Sequence, residues 1–172
     1  ISAMRLGLRE GQNLADARAL VPRLTVRELE RESLAAHFAE FADWHSNASP
    51  LVSVLTDAAP YGDLMLDITG VSHLFGGEAA MLRMLLNRLR ALDYTTAGAI
   101  APTIGAAWGI SHYARSQVVN ATSLESVLDA LPIHALRLDE KQISALNQMG
   151  LTHIGHLRSR PRVISLETHA AE

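Results

Sequence analysis

"GDLMLDITGVSHLFGG", residues 62–77, decides the fold. Its first half alternates with a period of two. Leu64, Leu66 and Ile68 fall on one face, and Asp63, Met65, Asp67 and Thr69 on the other, the pattern of a strand. Its second half is a loop, after which Glu78 opens a helix. Leu82, Leu85, Leu86 and Leu89 form the apolar stripe of that helix. Upstream, "LVSVLT" (51–56) is short and β-branched and reads as another strand, joined through the turn "DAAPYG". Downstream, "TTAGAIA" (95–101) reads as a third strand and "TIGAAWGISHYA" (103–114) as a small-residue helix able to lie close on a sheet.

Two helices precede these elements. Asn13 caps a short one with Asp16 in its first turn; Leu14, Ala17, Leu20 and Val21 form its apolar face, and Pro22 ends it. A longer one runs from about Val26 to His45, with Leu34, Phe38, Phe41 and Ala42 at helical spacing. The order α-α-β-β-α-β-α predicts an α+β fold with a mixed sheet in a ferredoxin-like pattern. Near Ser123 the character changes. "SLESVLDAL", "DEKQISALNQMG" and "THIGHLRSR" read as three short helices capped by Ser123, Asp139 and Thr152, with Gly150 at a helix end. A boundary between Val118 and Ser123 therefore sets off a small all-helical domain.

Composition narrows the function classes. The chain has 172 residues, 48% of them apolar and 19% charged, the make-up of an ordinary globular protein. The net charge of −3 argues against strong non-specific binding to DNA through charge alone. Cysteine is absent, which excludes disulfides and thiolate metal sites. No apolar run reaches the roughly 18 residues of a membrane span, and no signal peptide is visible. Ile1 falls directly inside patterned sequence, so the chain reads as a piece of a longer protein.

Three stretches together resemble the Y-family translesion DNA polymerases. "GLREGQNLADARALVP" (7–22) is similar to their fingers, "GDLMLDITGVSHLFGG" to a palm strand, and "LPIHALRLDEKQISALNQMGLTHIGHL" (131–157) to their helical thumb. Within that family, "LDITGVSHLFGGEAA" and "GAAWGISHYA" look most like the ImuB group, polymerase-like proteins held to lack polymerase activity. The resemblance implies three segments: fingers-like 1–50, palm-like 51–120 without its N-terminal strand, and a thumb-like helix-hairpin-helix 121–172. It also implies bacterial, cytoplasmic, nucleoid-associated work in damage tolerance and SOS mutagenesis. The implied partners are DNA, a separate error-prone polymerase, a RecA-like accessory protein and the sliding clamp.

Phosphoryl transfer to a nucleotide needs metal ions held by carboxylates and cations gripping the triphosphate. The family's palm strand carries an adjacent Asp-Glu pair. Aligned on Leu66 and Asp67, that pair falls on Gly62 and Asp63, so one carboxylate is missing. The family's other metal Asp lies upstream of Ile1. The Tyr and Arg of the fingers fall on Ile1 and Met4, before Gly7, and the Asn-Lys after the third strand falls on Thr103 and Ile104. Arg5 and Arg9 are nearby cations at other positions. These losses together imply a protein without catalysis and without a cofactor. The alternative is a divergent active polymerase using Asp63, upstream carboxylates and Mg²⁺.

In a helix-hairpin-helix, phosphate is held by backbone N–H groups at a glycine-rich turn and a helix N-terminus. The first hairpin, "PIHALRL" (132–138), lacks the family's glycines. The second keeps Gly150, Thr152 and Gly155, with Arg158, Arg160 and Arg162 beside it; these six residues are the candidate DNA contacts.

Simpler roles stand beside these. Asp63 fits a solvated strand face as well as a vestigial ion site. Asp67, before Thr69 and Gly70, reads as a turn-stabilising residue. The eight histidines show no metal-ligand spacing, and His73 and His112 read as surface or hydrogen-bonded residues. "GGEAA" lacks the phosphate-loop pattern, and no G-x-S-x-G elbow occurs. Arg158 to Arg162 fit a solvated basic end as well as a phosphate contact.

Overall fold

The computed structural model describes residues 3–9, 11–55 and 62–158. The chain divides into two compact units, Ile1–His45 with Val54–Leu64 and Ser46–Ser53 with Met65–Glu172. The fold is α+β, as the sequence predicts.

In the first unit a 3-10 turn, Ala3–Leu6, precedes helix α1, Leu14–Leu20. Asn13 caps α1, its Oδ1 accepting the Asp16 N–H at 2.8 Å. Helix α2, Arg31–Trp44, begins at Arg31 rather than at Val26. Glu30 sits at its N-cap without a side-chain hydrogen bond, so no cap fixes the start in the sequence. β-branched Thr25 and Val26 also favour extended backbone. At its C-terminal end Phe41 packs edge-on against His45, with ring centroids 4.8 Å apart. The buried His45 ring carries its proton on Nδ1, because it donates to the Phe41 carbonyl at 2.8 Å.

Strand β1, Leu51–Leu55, pairs with strand β2, Asp63–Asp67. β2 ends two residues before its alternating pattern does, and Thr56, the last residue of the upstream pattern, lies outside the described residues.

The second unit holds the remaining elements. After β2 the chain turns at Gly70 (φ +76°), where the Val71 N–H donates to the Ile68 carbonyl at 3.1 Å. A 3-10 turn, Ser72–Phe75, leads to helix α3, Glu78–Ala91. Its buried residues are Met81 and Leu86, with Leu82, Leu85 and Leu89 half-buried. Strand β3, Ala99–Ile100, pairs in parallel with β4, Gln117–Val118. The expected third strand is thus confined to two residues, and its partner is a two-residue strand too short to show alternation. Among the described residues the sheet exists as two two-stranded ladders.

Helix α4, Ile104–Tyr113, joins β3 to β4 and is capped by Thr103. Helix α5, Ala121–Asp129, is capped by Asn120 rather than Ser123; the Ser123 N–H donates to Asn120 Oδ1 at 2.9 Å. A 3-10 turn, Ile133–Leu136, helix α6, Glu140–Gln148, and helix α7, Ile154–Arg158, complete the described chain. Ala106, Ile110, Val119, Leu131 and Ala135 form a buried cluster, with Leu124, Val127, Leu128 and Ile154 packed against it. The position between Val118 and Ser123 therefore lies inside one unit whose core draws on both sides of it. No helix among the described residues is long and apolar enough to cross a membrane.

Candidate nucleic-acid interface

The strand that would carry metal acids begins at a glycine in the left-handed region. Gly62 has φ +83°, a conformation that a side chain resists and glycine accepts. It supplies no carboxylate, and an Asp placed there would meet backbone strain. Asp63 follows as the half-buried first residue of β2. Asp67, at the strand's end, is exposed and turned to its own backbone: Oδ1 accepts the Thr69 N–H at 2.9 Å. The Thr69 side chain, and then its N–H, hold the Asp67 carboxyl below its ordinary pKa. Asp67 is thus the turn residue that the sequence suggests. Among the described residues no three acidic or histidine side chains gather to hold an ion. Of an adjacent pair of acids, β2 and the residue before it offer one, Asp63.

The positions that would grip a triphosphate carry other chemistry. Met4 lies exposed in the first 3-10 turn, and Ile1 is outside the described residues. Thr103 is engaged as the α4 cap, accepting the Ala106 N–H at 3.3 Å. Ile104, the first residue of α4, is 67% exposed.

The first hairpin makes its turn without glycine. Arg137 takes the left-handed conformation instead, at φ +56° and ψ +32°. Helix α6 then starts under a full capping box. Asp139 Oδ1 accepts the Gln142 N–H at 2.8 Å, and Gln142 Oε1 accepts the Asp139 N–H at 3.1 Å. Glu140 adds a second acid in the first turn. The electropositive end of α6 is therefore already satisfied by the chain's own carboxylates.

The second hairpin brings Gly150, Thr152, Gly155 and Arg158 into one stretch. Gly150 (φ +75°) closes α6 in a Schellman motif, with the Gly150 N–H on the Asn147 carbonyl and the Leu151 N–H on the Leu146 carbonyl, both at 2.9 Å. Thr152 does not cap α7 through its hydroxyl. The hydroxyl meets His153 Nδ1 at 2.9 Å, and the Thr152 N–H donates to His156 Nδ1 at 3.3 Å. Gly155 is a contact glycine: a Cβ there would lie 3.0 Å from the Asp129 Cβ and 3.1 Å from its carbonyl oxygen. Arg158 forms ion pairs with Glu125 and Asp129 on α5. Arg160 and Arg162 lie outside the described residues.

Sequence reasoning missed two residues that matter here. Ser49 is buried and bridges β1 and β2 through its hydroxyl, and nothing in "SNASP" marks it out. Arg137 holds a left-handed turn where a helix-hairpin-helix pattern carries glycine. The non-glycine turn before an Asp-x-x-Gln capping box is the signal that points to it.

The comparisons agree with this architecture. DinB from Sulfolobus solfataricus superposes with a TM-score of 0.69 at 17% identity, over 92% of this chain and 47% of that one. A DinB family error-prone DNA polymerase from the same organism gives 0.70 at 18% identity, over 92% and 48%. No family model matches the chain. The chain has the fold of this class of DNA polymerases. Within that class it is similar to protein ImuB of Caulobacter vibrioides, in two strains, at 37% identity over 158 residues. That match covers 91% of this chain and 34% of the relative, so the chain spans about a third of these curated relatives. It bears out the resemblance read from residues 66–80 and 105–114.

Proposed function

We propose that the chain is part of a non-catalytic, polymerase-like adaptor in DNA damage tolerance, acting in translesion synthesis and induced mutagenesis. The observation that carries this is Gly62: it stands where a metal carboxylate belongs, in a backbone conformation suited to glycine. Loss of one preorganised electrostatic group commonly costs about 3 kcal/mol of transition-state stabilisation. Here a carboxylate is missing, and Thr103 and Ile104 stand in place of the Asn-Lys pair. The similarity to ImuB and the DinB fold support the damage-tolerance setting. The segments 1–50, 51–120 and 121–172 serve as fingers-like, palm-like and thumb-like parts.

DNA contact in this proposal is weak and falls to the second hairpin and the basic stretch through Arg162. The adaptor works with a separate error-prone polymerase, a RecA-like protein and the sliding clamp in the bacterial cytoplasm at the nucleoid. An active polymerase using Mg²⁺ is the second reading, and retention of Asp63 on β2 is what favours it.

Metal titration of the full-length protein separates the two. The urea midpoint of the parent and of Asp63→Ala is measured with and without Mg²⁺ and Mn²⁺. An adaptor shows the same small ionic shift in both. A parent-specific rise of the midpoint, lost in Asp63→Ala, supports the active polymerase.

A further inference from the structure

Among the described residues two non-glycine residues have a left-handed backbone, Asp93 and Arg137. Arg137 stands where the first hairpin turns into α6, and something must hold a side chain in a conformation it resists. Its guanidinium carbon lies 5.0 Å from the centroid of the Trp108 ring. Trp108 is buried on α4, and His112, one turn further on, stacks on the indole with centroids 4.3 Å apart and planes 25° from parallel. A guanidinium over an indole is attracted by the negative face of the ring, more strongly as water is removed. Close approach of the same elements is built in at Gly109. A Cβ there would lie 3.3 Å from both the Ala135 Cβ and Leu131 Cδ1. On the far side of the turn, Asp139 and Gln142 complete the capping box.

We propose that this turn is a clasp: Arg137 closes the first hairpin onto α4 through Trp108, and the hairpin makes no contact with nucleic acid. The second half rests on the DNA binding proposed above; the first half stands without it. The cation at the turn lies over the Trp108 ring, and the Gln142 N–H at the start of α6 donates to the Asp139 carboxylate.

A double-mutant cycle on the full-length protein tests the clasp. Folding equilibrium constants are measured by urea unfolding for the parent, Arg137→Ala, Trp108→Leu and the pair. Arg137→Ala lowers the constant about two- to fivefold in the parent and hardly at all beside Trp108→Leu, as a cation–π pair with an exposed cation requires. Should Trp108→Leu not fold, Trp108→Phe gives the same cycle with a smaller coupling. Arg137→Gly is less damaging than Arg137→Ala, because glycine keeps the left-handed turn without strain. Zero coupling, or Ala no worse than Gly, overturns the clasp. Labelled primer-template is then titrated at several salt concentrations, with Lys141→Ala as a control cation on α6. Unchanged affinity and salt slope for Arg137→Ala support a hairpin turned away from DNA. A slope reduced by about 0.9, the loss of one phosphate contact, overturns it. A parent that binds no DNA removes the proposed DNA contact and leaves the clasp to the stability cycle.

Discussion

The Ser49 hydroxyl donates to the Asp67 main-chain carbonyl at 2.5 Å, from a side chain only 1% exposed. The same oxygen accepts the Leu51 N–H at 3.1 Å and lies 2.9 Å from the Leu51 carbonyl. One buried hydroxyl thus ties the entry of β1 to the exit of β2. Here Asp67 serves through its main chain, and its side chain serves the following turn. Ser49→Ala leaves the Asp67 carbonyl and the Leu51 N–H without this partner. It is expected to cost about 0.5–1.5 kcal/mol, the usual net worth of an intramolecular hydrogen bond. Urea unfolding reads this directly. A change within about 0.5 kcal/mol, typical of an ordinary surface site, would show the bridge to be dispensable.

The Asp67 carboxyl reports on the turn. Its folded pKa lies below the ordinary aspartate value because the Thr69 side chain and then its N–H favour the charged form. The sign follows: its contribution is fully present above that ordinary value and is lost as pH falls through the lowered one. NMR titration of the side-chain carboxyl should place the Asp67 midpoint below those of unbonded aspartates. Thr69→Val removes the larger cause and should move the midpoint back up. An unmoved midpoint in Thr69→Val would mean that the hydroxyl plays no part.

Gly150 and Gly155 are separable although both were read from sequence as hairpin glycines. Gly150 needs its left-handed backbone, and a Cβ there meets nothing within 4 Å. Gly150→Ala should cost about 1–2 kcal/mol in backbone strain alone. Gly155 needs space: its Cβ would press on Asp129, including the main-chain carbonyl. Gly155→Ala should cost about 1–3 kcal/mol through overpacking. Asp129→Gly should relieve much of the Gly155→Ala defect and none of the Gly150→Ala defect. Thermal unfolding of the single and double variants decides it; equal rescue of both would contradict the distinction.

What was legible in the sequence was what local chemistry fixes. Asn13, Asp139 and Gly150 each declare a helix end through a hydrogen bond to a near neighbour, and each stands where expected. Helix α3 stands where its leucine stripe puts it, whereas in α1 Ala17 is buried and Leu14 and Leu20 of the expected apolar face are exposed. Elements set by distant partners were not legible. β4 exists because Gln117 and Val118 meet Ala99 and Ile100 after a whole helix. Met81, fully buried, sits beside the leucine stripe, and only tertiary packing chooses it over Leu82. Asn120 outcompeted Ser123 as the α5 cap, a shift of one turn that two equally good capping residues leave open in the sequence. For the candidate site, the absence of a carboxylate at residue 62, a glycine, was readable from residue identity. The left-handed backbone there, and the ion pairs that engage Arg158, were not.

The central claim is that β2 has kept its place in the fold and lost its catalysis. The most direct measurement is single-turnover extension of a labelled primer-template by the full-length protein with Mg²⁺ or Mn²⁺, beside the Asp63→Ala variant. The account predicts no incorporation above background by either protein. Incorporation by the parent that disappears in Asp63→Ala would contradict it, because the one acid left on the strand would then be supporting metal-dependent synthesis.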